Sequence, residues 1–189
     1  MSSPKRIHVY GHVSAQPQAV ADLFGAEVAS EVVSDSDLAI FAINPAAGID
    51  QATIDKWAAL SEYQLPRLVV VNELEGSDAD FEDAIMLANR VFDQLVTPYL
   101  VLHSDAGQPI ALISLDTLEI IDYTTKPASV SMSEKEHQDL VDEFREEYLE
   151  QIAGAGEDAF AAGLLFPAIP IVISNGLGAD VVKKFIDLL

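Results

Sequence analysis

The sequence contains no cysteine. This absence excludes a disulfide framework and cysteine-based zinc sites, and it suits a reducing compartment. Long apolar runs are also missing, because the most apolar stretch, GLLFPAIPIVI at 163–173, is too short to cross a bilayer and contains two prolines. We therefore expect no signal peptide and no membrane segment, and we predict a cytoplasmic protein.

Positive charge is scarce. The chain has 10 Lys and Arg residues against 31 Asp and Glu residues, a net charge of −21. Such a surface repels nucleic-acid phosphates, so direct nucleic-acid binding is not expected. It also repels free nucleotides unless a local pocket reverses the field. The negative charge favours a basic protein as the partner. The alternative, which stays open, is that the charge only keeps the protein soluble.

The 189 residues are 50% hydrophobic, which is enough for a packed core. Apolar runs alternate with amphipathic stretches, a pattern typical of an α/β fold with helices on both faces of a mostly parallel sheet. The strands predicted from the apolar runs are 6–13, 37–44, 67–72 and 169–176. The helices predicted from 3.6-residue periodicity are 17–24, 50–64, 78–95, 133–154 and 179–189. Asp78 and Asp80 are expected near the start of the third helix.

The pattern changes after Thr97. PYLVLHS and PIALISLDTLEIIDYTT contain alternating and β-branched stretches joined by DAGQ, which predicts a small antiparallel unit. In the acidic helix 133–154, the spacing of four residues predicts an inner face formed by Leu140, Phe144, Tyr148 and Ile152. We predict a subdomain at 97–155 inserted into an α/β core of residues 1–96 and 156–189.

One stretch identifies a family. INPAAGIDQATIDKWAALSEYQLPRLVVVNELEGSDADF (43–81) resembles the G domain of bacterial elongation factor G. The residues that carry the match are Ala47-Gly48, Thr53, Trp57, Tyr63, Pro66-Arg67, Val71-Asn72 and Ala79-Asp80-Phe81. The resemblance implies a P-loop-NTPase-like three-layer sandwich, with 97–155 as the family's G′-like α+β insertion. It covers only the family's first domain, so a truncated, stand-alone form is expected.

The resemblance places a vestigial nucleotide site on Gly11, His12, Asn72 and Ser174. In the phosphate loop, YGHVSAQPQAV, the glycine, lysine and threonine that hold phosphates and Mg²⁺ are replaced by Gln16, Pro17 and Gln18. In the guanine-reading motif, Glu73 and Glu75 replace a lysine and an aspartate. Asn72 and Ser174 also have a purely structural interpretation, in which their side chains tie loops together.

The resemblance further implies a deletion. The family places switch I, two strands and switch II before the strand that DLAIFAIN matches, and here only residues 19–38 are present. The phosphate-sensing segments of a GTPase are therefore expected to be missing. The loss would leave RIHVYGHV at the sheet edge. This predicts either a homodimer through the first strand or a cover formed by residues 25–36.

These observations predict a degenerate elongation-factor-G-like G domain, a pseudo-GTPase that acts as a non-catalytic protein-binding or regulatory module in translation. A ribosomal stalk protein or another basic protein is the expected partner, and no cofactor is expected. No catalytic or metal-binding residue is predicted, since the four histidines lack ligand spacing. The alternative is a GTP-binding protein that keeps weak guanine affinity through Asn72 and Ser174, with GTP or GDP and Mg²⁺ as cofactors.

Overall fold

The computed structural model describes residues 3–75 and 80–189. Within these ranges the strands form one six-stranded parallel sheet and one four-stranded antiparallel sheet. The parallel sheet has the order β2-β1-β3-β4-β10-β5, and the antiparallel sheet the order β6-β7-β8-β9. The strands are β1 (Ile7–Tyr10), β2 (Glu27–Val28), β3 (Leu38–Ile43), β4 (Arg67–Val71), β5 (Leu95–Val96), β6 (Tyr99–His103), β7 (Pro109–Ser114), β8 (Glu119–Asp122), β9 (Ser129–Met132) and β10 (Phe166–Pro170).

Helices cover both faces of the parallel sheet, because alternate side chains of each strand point to opposite sides. Val9 and Ile40 pack with α1 (Pro17–Phe24) and α5 (Ala179–Asp187) on one face. Tyr10 and Phe41 pack with α2 (Gln51–Ser61) and α3 (Phe81–Val91) on the other. Every residue of β3 and β4 is buried, as expected for parallel strands covered on both faces. The predicted three-layer α/β fold is confirmed.

The third helix begins later than predicted. Asp80 is the N-cap of α3, and its Oδ1 accepts a hydrogen bond from the Asp83 amide at 2.9 Å. In return the Asp83 carboxylate accepts a hydrogen bond from the Asp80 amide at 3.1 Å, which completes a capping box. The predicted cap at Asp78 and the Ala79 of the family match lie outside the described residues.

The antiparallel unit is present, with the turn between β6 and β7 at DAGQ as predicted. It packs onto the parallel sheet through Leu112, Ile121 and Tyr123, which share one core with α1 and α5. The Tyr123 hydroxyl donates a hydrogen bond of 2.6 Å to Asp180 in α5. The long helix α4 (Lys135–Ala153) follows β9. The division into a core and an insertion at 97–155 stays a prediction.

The predicted edge position of the first strand is wrong. β1 lies between β2 and β3 and forms parallel pairs with both. Two residue pairs join β1 to β2, His8 with Glu27 and Val9 with Val28. The short strand β2 lies within residues 25–36, so the second of the two predicted outcomes, a cover from this segment, is the one observed.

The predicted inner face of α4 is wrong for two of its four residues. Leu140 is 72% exposed and Phe144 is 43% exposed, whereas Val141 is buried. Tyr148 packs against the same core as Val141. Val141 and Tyr148 are seven residues apart, about two helical turns, so the inward stripe passes through Val141 instead of Leu140 and Phe144. Among the described residues, none of the helices combines the length and apolarity that a bilayer crossing requires.

The last strand of the sheet also differs from its prediction. β10 ends at Pro170, so it starts and finishes earlier than the predicted 169–176. Pro167 and Pro170 lie inside it, where only their carbonyl groups can join the ladder. Beyond the strand the chain still follows β4, since the Ile171 amide donates to the Val71 carbonyl at 2.9 Å.

Candidate functional site

An open cleft of about 480 Å³ lies at the carboxyl ends of β4 and β10, beside the start of α1. This is the end of an open parallel sheet at which ligands bind in α/β proteins. We call this space the acidic cleft. It is lined by Gln16, Ala19, Asn72, Glu73, Leu74, Glu75, Val172, Ile173 and Ser174.

The structure brings two of the four predicted site residues to this cleft, Asn72 and Ser174. Gly11 and His12 lie in the loop that joins β1 to α1, and neither lines the cleft. A side chain at position 11 would place its Cβ 2.5 Å from the Ala42 carbonyl oxygen in β3. Gly11 is therefore required by the close approach of two backbones.

In the loop between β1 and α1, successive backbone amides donate hydrogen bonds to acceptors within the same loop. The Ser14 amide donates to His12 Nδ1 at 3.1 Å. The Ala15 amide donates to the His12 carbonyl at 2.9 Å, and the Gln16 amide donates to the Val13 carbonyl at 3.0 Å. Pro17 has no amide hydrogen and begins α1. Residues 14–16 thus form a short closed turn whose donors are already bonded within the loop.

Two asparagines hold this loop against the sheet. Asn44 Nδ2 donates to the Ser14 carbonyl at 2.9 Å, and Asn72 Nδ2 donates to the Ala15 carbonyl at 3.0 Å. Asn72 is 2% exposed, so its side chain is a buried anchor. Sequence reasoning missed Asn44. The available signal was that each asparagine directly follows a buried strand, β3 or β4.

Two carboxylates face the acidic cleft, and each accepts a hydrogen bond across it. Gln16 Nε2 donates to Glu73, and Ser174 Oγ donates to Glu75 at 2.6 Å. Gln16 and Glu73 both adopt left-handed backbone conformations, with φ of 52° and 61°. The cleft therefore presents acceptor groups and negative charge, the opposite of what a nucleotide phosphate requires.

Other residues of the family match form a buried network away from this cleft. The Arg67 guanidinium lies 4.4 Å from the Trp57 ring centroid and 4.3 Å from that of Phe166. Arg67 Nη1 donates to Ser61 Oγ at 2.7 Å, and Trp57 Nε1 donates to Asp93 at 2.8 Å. Burial lowers the pKa of Arg67, and Asp93 opposes that shift. These contacts give Trp57 and Arg67 a structural role.

No protein-family model matches the chain. The elongation factor G-like protein of Mycobacterium tuberculosis (strain CDC 1551 / Oshkosh) is 29% identical over 164 residues, which cover 76% of this chain and 23% of that protein. The mitochondrial ribosome-releasing factor 2 of Drosophila melanogaster is 25% identical over 128 residues, which cover 65% of this chain and 17% of that protein. The chain is therefore similar in sequence to proteins of the elongation factor G type.

This similarity confirms the predicted relationship to translation factors. The chain spans less than a quarter of the length of these relatives, 23% and 17%. A crystal structure of a protein from Thermus thermophilus has a TM-score of 0.68 at 20% identity. That match covers 82% of this chain and 26% of the other, and it shows a shared fold.

Proposed function

We propose that this elongation-factor-G-like chain is a non-catalytic protein-binding or regulatory module in translation, acting in the cytoplasm without a cofactor. The closed loop between β1 and α1 carries the proposal. Three successive amides, those of Ser14, Ala15 and Gln16, are bonded within the loop, and the next residue is Pro17. A phosphate cradle needs such amides free and a lysine at the position of Pro17.

The energetic consequence is large. A hydrogen bond to a charged group contributes about 1.5–3 kcal/mol, and several such bonds would be absent for a phosphate bound to this loop. Freeing the amides would break the turn that Asn44 and Asn72 hold in place. Glu73 and Glu75 add repulsion at the cleft, and the net charge of −21 adds more at long range.

Isothermal calorimetry with GTP and with GDP, each with Mg²⁺, tests this proposal. We expect no dissociation constant tighter than about 10 μM, which corresponds to roughly −7 kcal/mol. Tighter binding would overturn the proposal and establish the alternative of residual guanine nucleotide binding. GTP hydrolysis above the rate in buffer would likewise contradict a non-catalytic role.

The proposed partner surface lies on α4 and the adjoining part of α3. An apolar groove of about 340 Å³ between the helices includes Ile85, Met86 and Phe144. Exposed carboxylates follow α4 beside it, at Asp142, Glu143, Glu146, Glu147 and Glu150. A basic protein with apolar contact residues fits this combination, and the family resemblance suggests a ribosomal stalk protein. Nucleic acid and membranes are not proposed as partners.

A binding assay with purified ribosomal stalk protein at low and high salt tests the partner. Phe144→Ser is expected to weaken binding at least tenfold, whereas the matched variant Tyr63→Ser, which changes an exposed aromatic residue after α2, should leave it unchanged. Rising salt should weaken binding, because charge pairing at an exposed surface is screened. Equal effects of the two substitutions would exclude the groove as the interface.

A further inference from the structure

The lining of the acidic cleft combines hydrogen-bond acceptors with apolar walls. Glu73 and Glu75 supply the carboxylates, while Leu74, Val172 and Ile173 supply apolar surface. None of the nine lining residues is Lys, Arg or His. A ligand that matches this lining is positively charged, presents several N–H donors and has little hydration to lose.

We propose that the acidic cleft binds a guanidinium group, presented by an arginine side chain of a partner protein. The protein source of the arginine rests on the proposed protein-binding function. The cleft lies where three loops meet, those that follow β1, β4 and β10, so an inserted side chain would contact all three.

The guanidinium group fits this lining better than an ammonium group does. It is planar, carries five N–H donors in a fixed fork and is weakly hydrated, which allows it to pair with carboxylates against apolar walls. An ammonium group is a compact, strongly hydrated charge that loses more on entering such a cleft. Among the described residues there is no group of three or more potential metal ligands from His, Cys, Asp and Glu.

Both carboxylates are held before a ligand arrives. Gln16 bonds to Glu73 and Ser174 bonds to Glu75, which fixes each side chain by one hydrogen bond. An ionised carboxylate has about four lone-pair sites, so one accepted bond leaves capacity for a guanidinium fork. Because these rotamers are already restricted, less conformational entropy is lost on binding.

Nuclear magnetic resonance titration of the full chain tests the inference. N-acetyl-arginine amide is expected to shift the backbone amide signals of Glu73, Leu74, Glu75 and Ser174 saturably, with an affinity several-fold tighter than that of N-acetyl-lysine amide. The paired substitution Glu73→Gln and Glu75→Gln should weaken arginine binding at least tenfold. The matched pair Glu62→Gln and Glu157→Gln, at exposed positions elsewhere, should leave it unchanged.

Four outcomes would overturn the site: no saturable shift, equal affinity for the lysine derivative, equal shifts on adding CaCl₂, or an unaltered affinity in the Glu73/Glu75 variant. Free arginine binding more tightly than the capped derivative would overturn the protein source, because it would show recognition of the amino acid's own charged ends. Adding GTP with Mg²⁺ in the same experiment separates the two proposals. If neither the arginine derivative nor GTP binds, only the proposed arginine site is rejected. If GTP binds, the proposed function is rejected.

Discussion

At the scale of single residues, the most informative positions of the family match are structural. Trp57 is 2% exposed, and its ring stacks on Phe92 with 4.4 Å between the ring centroids. Arg67, equally buried, lies over Trp57 and Phe166 and approaches Asp93 to 3.6 Å. The uncommon residues that carry the resemblance therefore build the core of this chain around α2 and β4.

Arg67→Lys is expected to lower the free energy of unfolding by about 2 kcal/mol, since lysine loses the flat contact with two rings and most of the donor fork. Urea denaturation measures the change. Arg90→Lys, at an exposed position at the end of α3, is the matched control and should change stability by less than about 0.5 kcal/mol. Equal effects of the two substitutions would remove the proposed structural role.

Glu82 provides a pH-dependent prediction. Burial raises the pKa of this carboxyl group, helped by Asp80 and Asp83 and opposed by its own backbone hydrogen bond and by His103. Between the ordinary pKa of 4.5 and the raised value, the folded state binds more protons, so the free energy of unfolding falls as pH rises. Glu82→Gln should therefore stabilise the protein at pH 7, where the buried carboxyl group is charged, and have little effect near pH 3.5, where it is protonated.

Denaturation curves of wild type and Glu82→Gln at both pH values measure this difference. Glu143→Gln in α4 is the control, because it removes a carboxylate at an exposed position of a helix. A stabilisation by Glu82→Gln that is the same at both pH values would show that the burial of charge is not its cause.

At the scale of elements, the loop between β1 and α1 depends on the ends of the two neighbouring strands. Asn44 follows β3, Asn72 follows β4, and each donates to one carbonyl of the loop. The asparagines satisfy acceptors that would otherwise be costly to bury. The geometry of this loop is thus set by the ends of β3 and β4, whose asparagines hold the closed turn in place.

Asn72→Ala is expected to reduce the free energy of unfolding by about 1–3 kcal/mol, because the Ala15 carbonyl loses its buried partner. Hydrogen exchange should also become faster at the amides of Ala15 and Gln16. Asn89→Ala, which removes a bond to the Leu95 amide at the other end of the sheet, serves as the control and should leave exchange in this loop unchanged.

The elements that could be predicted from the sequence are those with an unbroken apolar run or a clear helical periodicity. β3 and β4 are long apolar runs, and α3 and α4 have clear helical periodicity, so each was located to within a few residues. The two-residue strands β2 and β5 leave no such pattern, and their pairing depends on the neighbouring strand. The rotation of α4 was missed because Val141 and Leu140 are equally apolar.

The candidate site was predictable in part. Family motifs pointed to Asn72 and Ser174, and both line the acidic cleft. Sequence could not show that the loop amides bond within the loop, because that depends on the left-handed backbone at Gln16, where a glycine would be the usual choice. The bond from Gln16 to Glu73 joins residues far apart in the chain, and no local pattern reports it.

At the scale of the whole molecule, strand order bears on self-association. A homodimer through the first strand was expected because an edge strand has free backbone groups. β1 is instead paired on both sides, by β2 and β3, along the central residues His8 and Val9. The physical reason for that dimer is thereby removed, and the net charge of −21 opposes association of identical chains.

Sedimentation equilibrium at low salt and at high protein concentration should therefore show a monomer. A second measurement in high salt separates charge repulsion from the lack of an interface, since screening weakens repulsion between like chains. A dimer under both conditions would contradict the inference from strand order.

The position of β10 has a consequence for synthesis of the chain. This strand lies between β4 and β5, although both precede it in the sequence. In a nascent chain that has been synthesised only as far as α4, β4 and β5 lack the strand that pairs with both of them in the folded sheet. The backbone N–H and C=O groups on the facing edges of these two strands then have no partners in the sheet. The parallel sheet therefore stays incomplete until residues 166–170 have been synthesised. Until then, its free strand edges are available to chaperones and to other nascent chains.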